Sequence, residues 1–121
     1  MSFPSIIFKS TNIQVRDTLF DLVEKKLAVL DKFIGDETDV KCEVEFEGLT
    51  QQTTGDIYRL EVNFWLAGNL YRTEAVRDNF ENAIDEVQAE LTRMLERGIG
   101  KKQTLERKIE RQAKEEMLSG E

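Results

Sequence analysis

The feature that most restricts the fold is a β-hairpin that leads directly into a long amphipathic helix, between Leu60 and Leu95. Apolar residues occupy every second position from Tyr58 to Leu66, which is typical of a half-buried strand. Gly68-Asn69 tolerates positive φ, so we expect a tight turn there and a partner strand over 70–77.

A cap and an apolar stripe predict the helix that follows. Asp78 can accept a hydrogen bond from the first helical turn, and Glu81 can reach back to it. Apolar residues then recur at intervals of three and four, which indicates one buried helix face. They are Phe80, Ala83, Ile84, Val87, Leu91, Met94 and Leu95. Gly98 interrupts the pattern, and we expect the helix to end there.

The N-terminal half adds two strands and a helix. Alternating character predicts a strand over 5–11, and apolar spacing predicts a helix over 17–33 that Gly35 ends. A second strand is expected over 39–47. Residues 48–55 are polar and turn-forming, so they predict a mobile loop.

This order of elements predicts the fold class. The sequence β-α-β-β-β-α indicates an α+β two-layer sandwich, with a mainly antiparallel four-stranded sheet and two helices on one face. Residues 1–98 suffice for one core. The charged residues 99–121 have few apolar side chains and predict a partly helical or mobile tail.

Residue content excludes several function classes. The chain has no histidine, which removes the commonest general base and the commonest metal ligand. The single cysteine, Cys42, lies in an apolar alternation that predicts a core residue. We therefore expect no catalytic residue, no metal and no cofactor. With no membrane-length apolar run and no signal peptide, we expect a cytoplasmic protein.

Basic residues gather near the predicted helix ends, although the net charge of −7 argues by itself against polyanion binding. Seven-residue spacing places two of the first-helix lysines almost on one face, and four-residue spacing does the same for two arginines of the second helix. Phosphate contact would use such ridges, but solvated helix ends are the commoner explanation. The residues are Lys25, Lys26, Lys32, Arg93, Arg97, Lys101 and Lys102.

The hairpin carries further candidates. Arg72 and Arg77 lie on the last strand, and their odd spacing points them to opposite sides of the sheet. A turn at Gly68-Asn69 would place Trp65 opposite Arg72, either as a base-stacking pair or, more simply, as a pair that shields the open sheet face. The acidic residues of that face predict a solvated surface rather than a metal site. They are Glu43, Glu45, Glu47 and Glu61.

The passage YRTEAVRDNFENAIDEV, residues 71–87, resembles the ribosome hibernation-promoting factors, also called ribosome-associated translation inhibitors or sigma-factor modulation proteins. IQVRDTL at 13–19 and VEKKLAVLDKF at 23–33 agree with this, and the resemblance covers roughly residues 5–98. It implies a fold like that of double-stranded RNA-binding domains. It also implies a non-enzymatic stress factor that occupies the messenger and transfer RNA channel of the small ribosomal subunit, inhibiting translation and promoting ribosome hibernation.

The resemblance further implies that the partners are the small ribosomal subunit and its ribosomal RNA, with no membrane and no small-molecule substrate. Its RNA-binding positions match Lys26, Lys32, Arg93 and Arg97 best, with Lys25, Arg72, Arg77, Lys101 and Lys102 nearby. The often-basic positions that differ here are Phe20, Val29, Val76 and Glu90, which predicts weaker phosphate binding. We expect a short form of the family that is monomeric when free.

A second interpretation stays open beside the first. The acidic net charge favours a protein-interaction module that regulates a non-ribosomal partner through the acidic sheet face, Trp65 and the helical tail.

Overall fold

The computed structural model describes residues 3–49 and 57–98. Within them the order of elements is β1 (Ile6–Thr11), α1 (Asp17–Leu27), a 3₁₀ turn (Ala28–Leu30), α2 (Asp31–Ile34), β2 (Val40–Gly48), β3 (Tyr58–Leu66) and β4 (Asn69–Arg77). Residues 80–98 form the last helix, α3. The predicted succession β-α-β-β-β-α is confirmed, with its first helical segment divided.

The four strands form one sheet in the order β1-β2-β3-β4. β1 pairs parallel to β2, whereas β2 with β3 and β3 with β4 pair antiparallel. The helices cover one face of this sheet, and no described element covers the other, which is called the open face below. The predicted α+β two-layer sandwich is therefore confirmed, including its mainly antiparallel sheet.

The core lies between the helices and the covered face of the sheet. β2 and β3 contribute alternate residues to it, among them Phe46 and Phe64, and α3 contributes the predicted apolar stripe. Six members of that stripe are buried and Met94 is half-buried. Cys42 is a buried core residue, as predicted, and burial raises the pKa of its thiol to about 12.

The first helical segment differs from the continuous helix predicted over 17–33. It tightens into the 3₁₀ turn at Ala28–Leu30 before α2 begins. Leu30 and Ile34 are both buried beside the sheet, whereas Val29, which immediately precedes Leu30, is 52% exposed. Local tightening of this kind is frequent at helix ends. The predicted end at Gly35 is confirmed, and Gly35 has a φ of +57°.

The hairpin turn lies one residue earlier than predicted. Its two residues are Ala67 and Gly68, with φ of +52° and +83°, and Leu66 pairs with Asn69. Ala67 N–H donates to Asp39 O at 2.9 Å, so the pairing of β3 with β2 continues to the turn and determines its position. The prediction that Trp65 faces Arg72 is therefore wrong.

The shifted turn assigns new neighbours across the hairpin. Trp65 lies opposite Leu70, and Arg72 lies opposite Asn63. Trp65 and Arg72 remain on the same face as diagonal neighbours, because the shift moves the register by two residues.

The predicted start of α3 also requires correction. Asn79, not Asp78, caps the helix, because Asn79 Oδ1 accepts a hydrogen bond from the Asn82 N–H at 2.7 Å. The helix does not end before Gly98. A Cβ at this position would come within 2.8 Å of Tyr71 Oη, so the glycine permits the helix to pack closely on β4.

Two predicted segments fall wholly or mainly outside the described residues. They are the loop at 48–55, of which residues 50–55 are not described, and the tail at 99–121, which includes Lys101 and Lys102.

Candidate nucleic-acid interface

Topology directs the C-terminal ends of both helices to the same end of the sheet. β1, β2 and β4 point in one direction. α1 connects the parallel strands β1 and β2, so it runs back against them. α3 runs back against β4, because Arg77 contacts Glu86 near the start of the helix and Tyr71 contacts Gly98 near its end. Two basic helix ends thus share the end of the sheet that holds the β3–β4 turn.

The three lysines of the first helical segment have different surroundings. Lys25 and Lys32 are exposed and form no ion pair with a described residue, although Lys32 Nζ lies 5.1 Å from the centre of the Phe33 ring. Lys26 is half-buried, and its Nζ lies 3.0 Å from Asp85 Oδ1 on α3. Lys26 therefore links the two helices as well as adding charge. The 3₁₀ turn separates Lys25 from Lys32, so the single-face argument for them no longer holds.

Glu90 partly neutralises the two arginines of α3. Arg93 donates to Glu90 Oε2 through Nη2 at 2.6 Å and Nε at 3.1 Å, and Arg97 Nη2 lies 3.6 Å from Glu90 Oε1. Hydrogen bonding from Arg93 lowers the pKa of Glu90, so this carboxylate stays charged. The two arginines and Glu90 together carry a net charge of +1, and the exposed Glu96 beside them lowers the net charge of this helix end to about zero. All three side chains are accessible enough to exchange partners.

The two arginines of β4 lie on opposite faces of the sheet, as predicted. Arg77 pairs with Glu86 at 2.6 Å on the helix side. Arg72 pairs with Glu61 at 2.9 Å on the open face. Six described candidates therefore belong to the helix layer, and Arg72 does not join them. The six are Lys25, Lys26, Lys32, Arg77, Arg93 and Arg97.

A further arginine, Arg59, organises the open face, and the sequence prediction missed it. Arg59 donates to Glu61 and to Glu74, the latter at 2.6 Å, and its Nη1 lies 3.2 Å from Glu47 and 3.7 Å from Glu45. Its side chain is only 17% exposed. The signal was present, because alternation along β3 places Arg59 among the acidic residues of its neighbours.

This arrangement corrects the prediction of a simple solvated acidic face. Glu61 is the only charged residue among the described ones that is buried, with 8% of its surface exposed. Burial disfavours its charge, but hydrogen bonds from Arg59 and Asn63 outweigh burial and lower the pKa of Glu61. Burial likewise opposes the charge of Arg59, while hydrogen bonds to Glu61 and Glu74 raise its pKa. The network is a structural ion cluster.

Neither a metal centre nor a membrane span is found in the part of the chain that the structure describes. No group of three or more cysteine, aspartate or glutamate side chains there could hold a metal ion. No helix there is both long and apolar enough to cross a bilayer. Trp65 lies on the open face beneath Lys41, whose Nζ is 5.1 Å from the ring centre.

A family model now places the chain among known proteins. The model described as "Sigma 54 modulation protein / S30EA ribosomal protein" matches residues 6–103. The chain belongs to this family. The match covers every element of the described fold, and the resemblance inferred from the sequence is confirmed.

Solved structures agree with this assignment. A ribosomal subunit interface protein from Coxiella burnetii superposes with a TM-score of 0.63 at 17% identity, over 78% of this chain and 97% of the other. The N-terminal domain of Protein Y from Thermus thermophilus gives a TM-score of 0.55 at 26% identity, over 75% and 99%. The first likeness shows the fold alone. A search of curated protein sequences finds no match.

Proposed function

We propose that this protein is a ribosome-associated factor that binds the small ribosomal subunit in the channel of messenger and transfer RNA, inhibits translation and promotes ribosome hibernation. Membership of the sigma 54 modulation and S30EA ribosomal protein family carries the proposal. The similar structures support it, since one is a ribosomal subunit interface protein. The proposed role is binding without catalysis, which the absence of histidine from the sequence supports. The proposed location is the cytoplasm.

The proposed RNA contact is the helix layer at the end that holds the β3–β4 turn. Arg93 and Arg97 on α3 and Lys25 and Lys32 on the first helical segment provide exposed cations there. Lys26 already pairs with Asp85, so its contribution requires exchange of partners. Arg77 pairs with Glu86 at the end of β4 opposite the turn, so it is a weaker candidate for this contact. Lys101 and Lys102 follow α3 in the sequence and are proposed members of the site. Arg72 faces away from the helix layer and is the weakest candidate.

Cosedimentation with purified small subunits and with whole ribosomes tests the proposal, at low and at moderate salt. Arg93→Gln with Arg97→Gln should weaken binding about tenfold or more and reduce the slope of log affinity against log salt by about two, because each phosphate contact adds about one to that slope. Lys9→Gln with Lys41→Gln removes the same charge from the open face and should leave binding almost unchanged.

Two results would decide against these assignments. Absence of binding at either salt concentration would refute the ribosome proposal. Equal loss of affinity in both double variants would refute the helix-layer site, because the effect would then follow net charge rather than position. Inhibition of a reconstituted translation reaction should follow the same order of variants.

The second candidate function is regulation of a non-ribosomal partner through the open sheet face. Exposed apolar side chains favour it, since Ile7 is 54% and Leu70 51% exposed on the same face as Trp65. A nuclease-treated pull-down in high salt distinguishes the two candidates. Recovery of mainly a ribosomal protein, or of no protein, would favour the ribosome proposal. Recovery of one non-ribosomal protein by the parent protein but not by Ile7→Lys would favour this alternative.

A further inference from the structure

The outer edge of β4 is a feature that the ribosome proposal does not use. β4 is the last strand of the sheet, and β3 occupies only one of its sides. Among the described residues no strand lies beside the other side. An unpaired strand edge of nine residues is a template for another strand.

The position of the tight turn identifies which backbone groups point outward from this edge. In a two-residue hairpin the residues that flank the turn exchange both of their hydrogen bonds, and here these are Leu66 and Asn69. Bonding then alternates along the pair, so every second residue from Asn69 bonds to β3 and the others point away. Arg77 Nη1 donates to Val76 O, which agrees with an outward carbonyl at that residue. The outward residues are Leu70, Arg72, Glu74 and Val76.

We propose that the β4 edge pairs antiparallel with the β4 edge of a second copy of this chain, about a two-fold axis at Thr73. In this register Arg72 faces Glu74 of the second copy, and Leu70 faces Val76. All outward backbone groups from Leu70 to Val76 then find partners, in about eight interchain hydrogen bonds. The two sheets become one, with both helix layers on the same side.

The charges of β4 select this register among the symmetric ones. An axis at Arg72 or at Glu74 would place two arginines or two glutamates directly opposite each other, which destabilises a sheet. An axis between two residues would place a residue with outward backbone groups opposite a residue of the second copy whose backbone groups already bond to β3. Axes farther along the strand leave outward residues without partners. Only the axis at Thr73 pairs opposite charges and also covers Leu70, which is half exposed in the single chain.

The helix layer has a complementary charge pattern on the same side. Arg77 on β4 contacts Glu86 on α3, so the face of α3 that carries Glu86 lies toward the β4 edge. Glu90, Arg93 and Arg97 continue the face at helical spacing and contact one another. Across the proposed axis two α3 helices run antiparallel, so the acidic first half of this face approaches the basic second half of its counterpart.

Pairing has a functional consequence that rests on the proposed function. It would cover Arg93 and Arg97, so the dimer would be a storage form that cannot present them to RNA. The pairing itself does not depend on RNA binding. It replaces the sequence prediction of a free monomer.

Sedimentation equilibrium over a range of concentrations, without ribosomes, tests the pairing. The protein should form a reversible dimer. Leu70→Lys with Val76→Lys should weaken it at least about tenfold, because two symmetric pairs become repulsive. Leu70→Glu with Val76→Lys changes the same exposed positions but places opposite charges together, and it should retain the dimer. A monomer at all concentrations, or equal dimers in both double variants, would overturn the proposal.

Thiol cross-linking tests the register separately. Residue 73 meets its own copy at a non-hydrogen-bonded pair, where the Cα separation of about 4.5 Å suits a disulfide. Mild oxidation should therefore join two copies of Thr73→Cys. The same treatment should not join Asn69→Cys, whose copies lie about 26 Å apart in this register, or the parent protein, whose Cys42 is buried. Failure of Thr73→Cys to cross-link would overturn the proposed axis and leave the ribosome proposal unaffected.

Discussion

Arg59 shows how a single residue makes an acidic sheet face compatible with folding. It contacts acidic side chains on three strands, and its guanidinium has enough donors to bond several of them at once. Glu61 is the most dependent partner because it is buried. A buried carboxylate that loses its cation retains the cost of burial without the compensating attraction. The face is therefore held together by a cation that the net charge of the chain does not reveal.

Replacement of Arg59 by Met should lower the free energy of unfolding by about 2–4 kcal/mol at neutral pH. The methionine keeps most of the apolar stem of the side chain but removes the least exposed cation of the network, so that Glu61 retains only Arg72 as an ion-pair partner. Urea unfolding followed by circular dichroism measures the change. Glu74→Gln is the control, because this partner is 55% exposed and its loss should cost about 1 kcal/mol or less.

The pH dependence of the stability difference between the native protein and Arg59→Met identifies the cause of that difference. The native protein holds the pKa of Glu61 below its ordinary value, so the stabilisation is complete above that value and is lost as pH falls through the lowered pKa. In Arg59→Met the pKa of the buried Glu61 carboxyl should rise, because burial still disfavours its charge and only Arg72 remains to pair with it. The gap between the two proteins should therefore narrow at acid pH. A gap that is constant from neutral to acid pH would show that lost packing, not charge, accounts for the destabilisation.

Residue-level predictions from sequence were sound where periodicity alone decides the outcome. Cys42 and the stripe of α3 are buried as predicted, because alternation and helical spacing specify a face directly. Arg59 was missed because its role depends on which strands lie beside β3. The pairing of β3 with both β2 and β4 brings Glu47 and Glu74 to it from opposite sides.

At the scale of elements, the strand-to-helix passage after β4 depends on one amide side chain. The side-chain oxygen of Asn79 accepts a hydrogen bond from the backbone N–H of Asn82. The carboxylate of Asp78 accepts a second hydrogen bond, from the side-chain amide of Asn82, at 3.2 Å. The two residues cooperate, but only Asn79 satisfies a backbone donor of the first helical turn. The helix also places Phe80 against Phe46, with ring centres 5.0 Å apart. Cap and aromatic contact together determine where α3 begins.

Asn79→Ala should reduce the free energy of unfolding by about 1 kcal/mol, since it leaves an N-terminal backbone donor without its side-chain acceptor. Asp78→Ala should cost less, because Asp78 bonds only side-chain amides and is exposed. Thermal or urea unfolding of the two variants measures the difference. A greater loss in Asp78→Ala would contradict the assignment of the cap.

Errors of one residue at element ends have a common physical origin. Both Gly68-Asn69 and Ala67-Gly68 can form a tight turn, and local preference favours the first pair. The hydrogen bond from Ala67 N–H to Asp39 O decides for the second, and it comes from a distant strand. The division of the first helical segment likewise accompanies burial of Leu30 against the sheet. Element order was predictable from sequence, whereas these ends depend on tertiary contacts.

At the scale of the whole molecule, position matters more than net charge. The chain is acidic overall, yet its parallel helices direct exposed cations of both helices to one end of the sheet. Ion pairs with Asp85, Glu86 and Glu90 occupy four of the six described helix-layer candidates. The proposed binding to RNA would therefore exchange the internal partners of these four residues for phosphates. Such an exchange costs less at the exposed arginines of α3 than at Lys26, which joins two helices.

Glu90 should consequently limit RNA affinity. Glu90→Gln leaves Arg93 and Arg97 in place and removes the carboxylate that competes with phosphate for both of them. We expect ribosome binding to strengthen several-fold at low salt, with a log affinity that depends more steeply on log salt by up to about one, because more of the arginine charge is then neutralised by RNA. Glu81→Gln makes the same charge change about 13 Å away along α3 and should have a smaller effect. Equal strengthening in the two variants would assign the effect to net charge, whereas no strengthening in Glu90→Gln would mean that Arg93 and Arg97 do not contact phosphate.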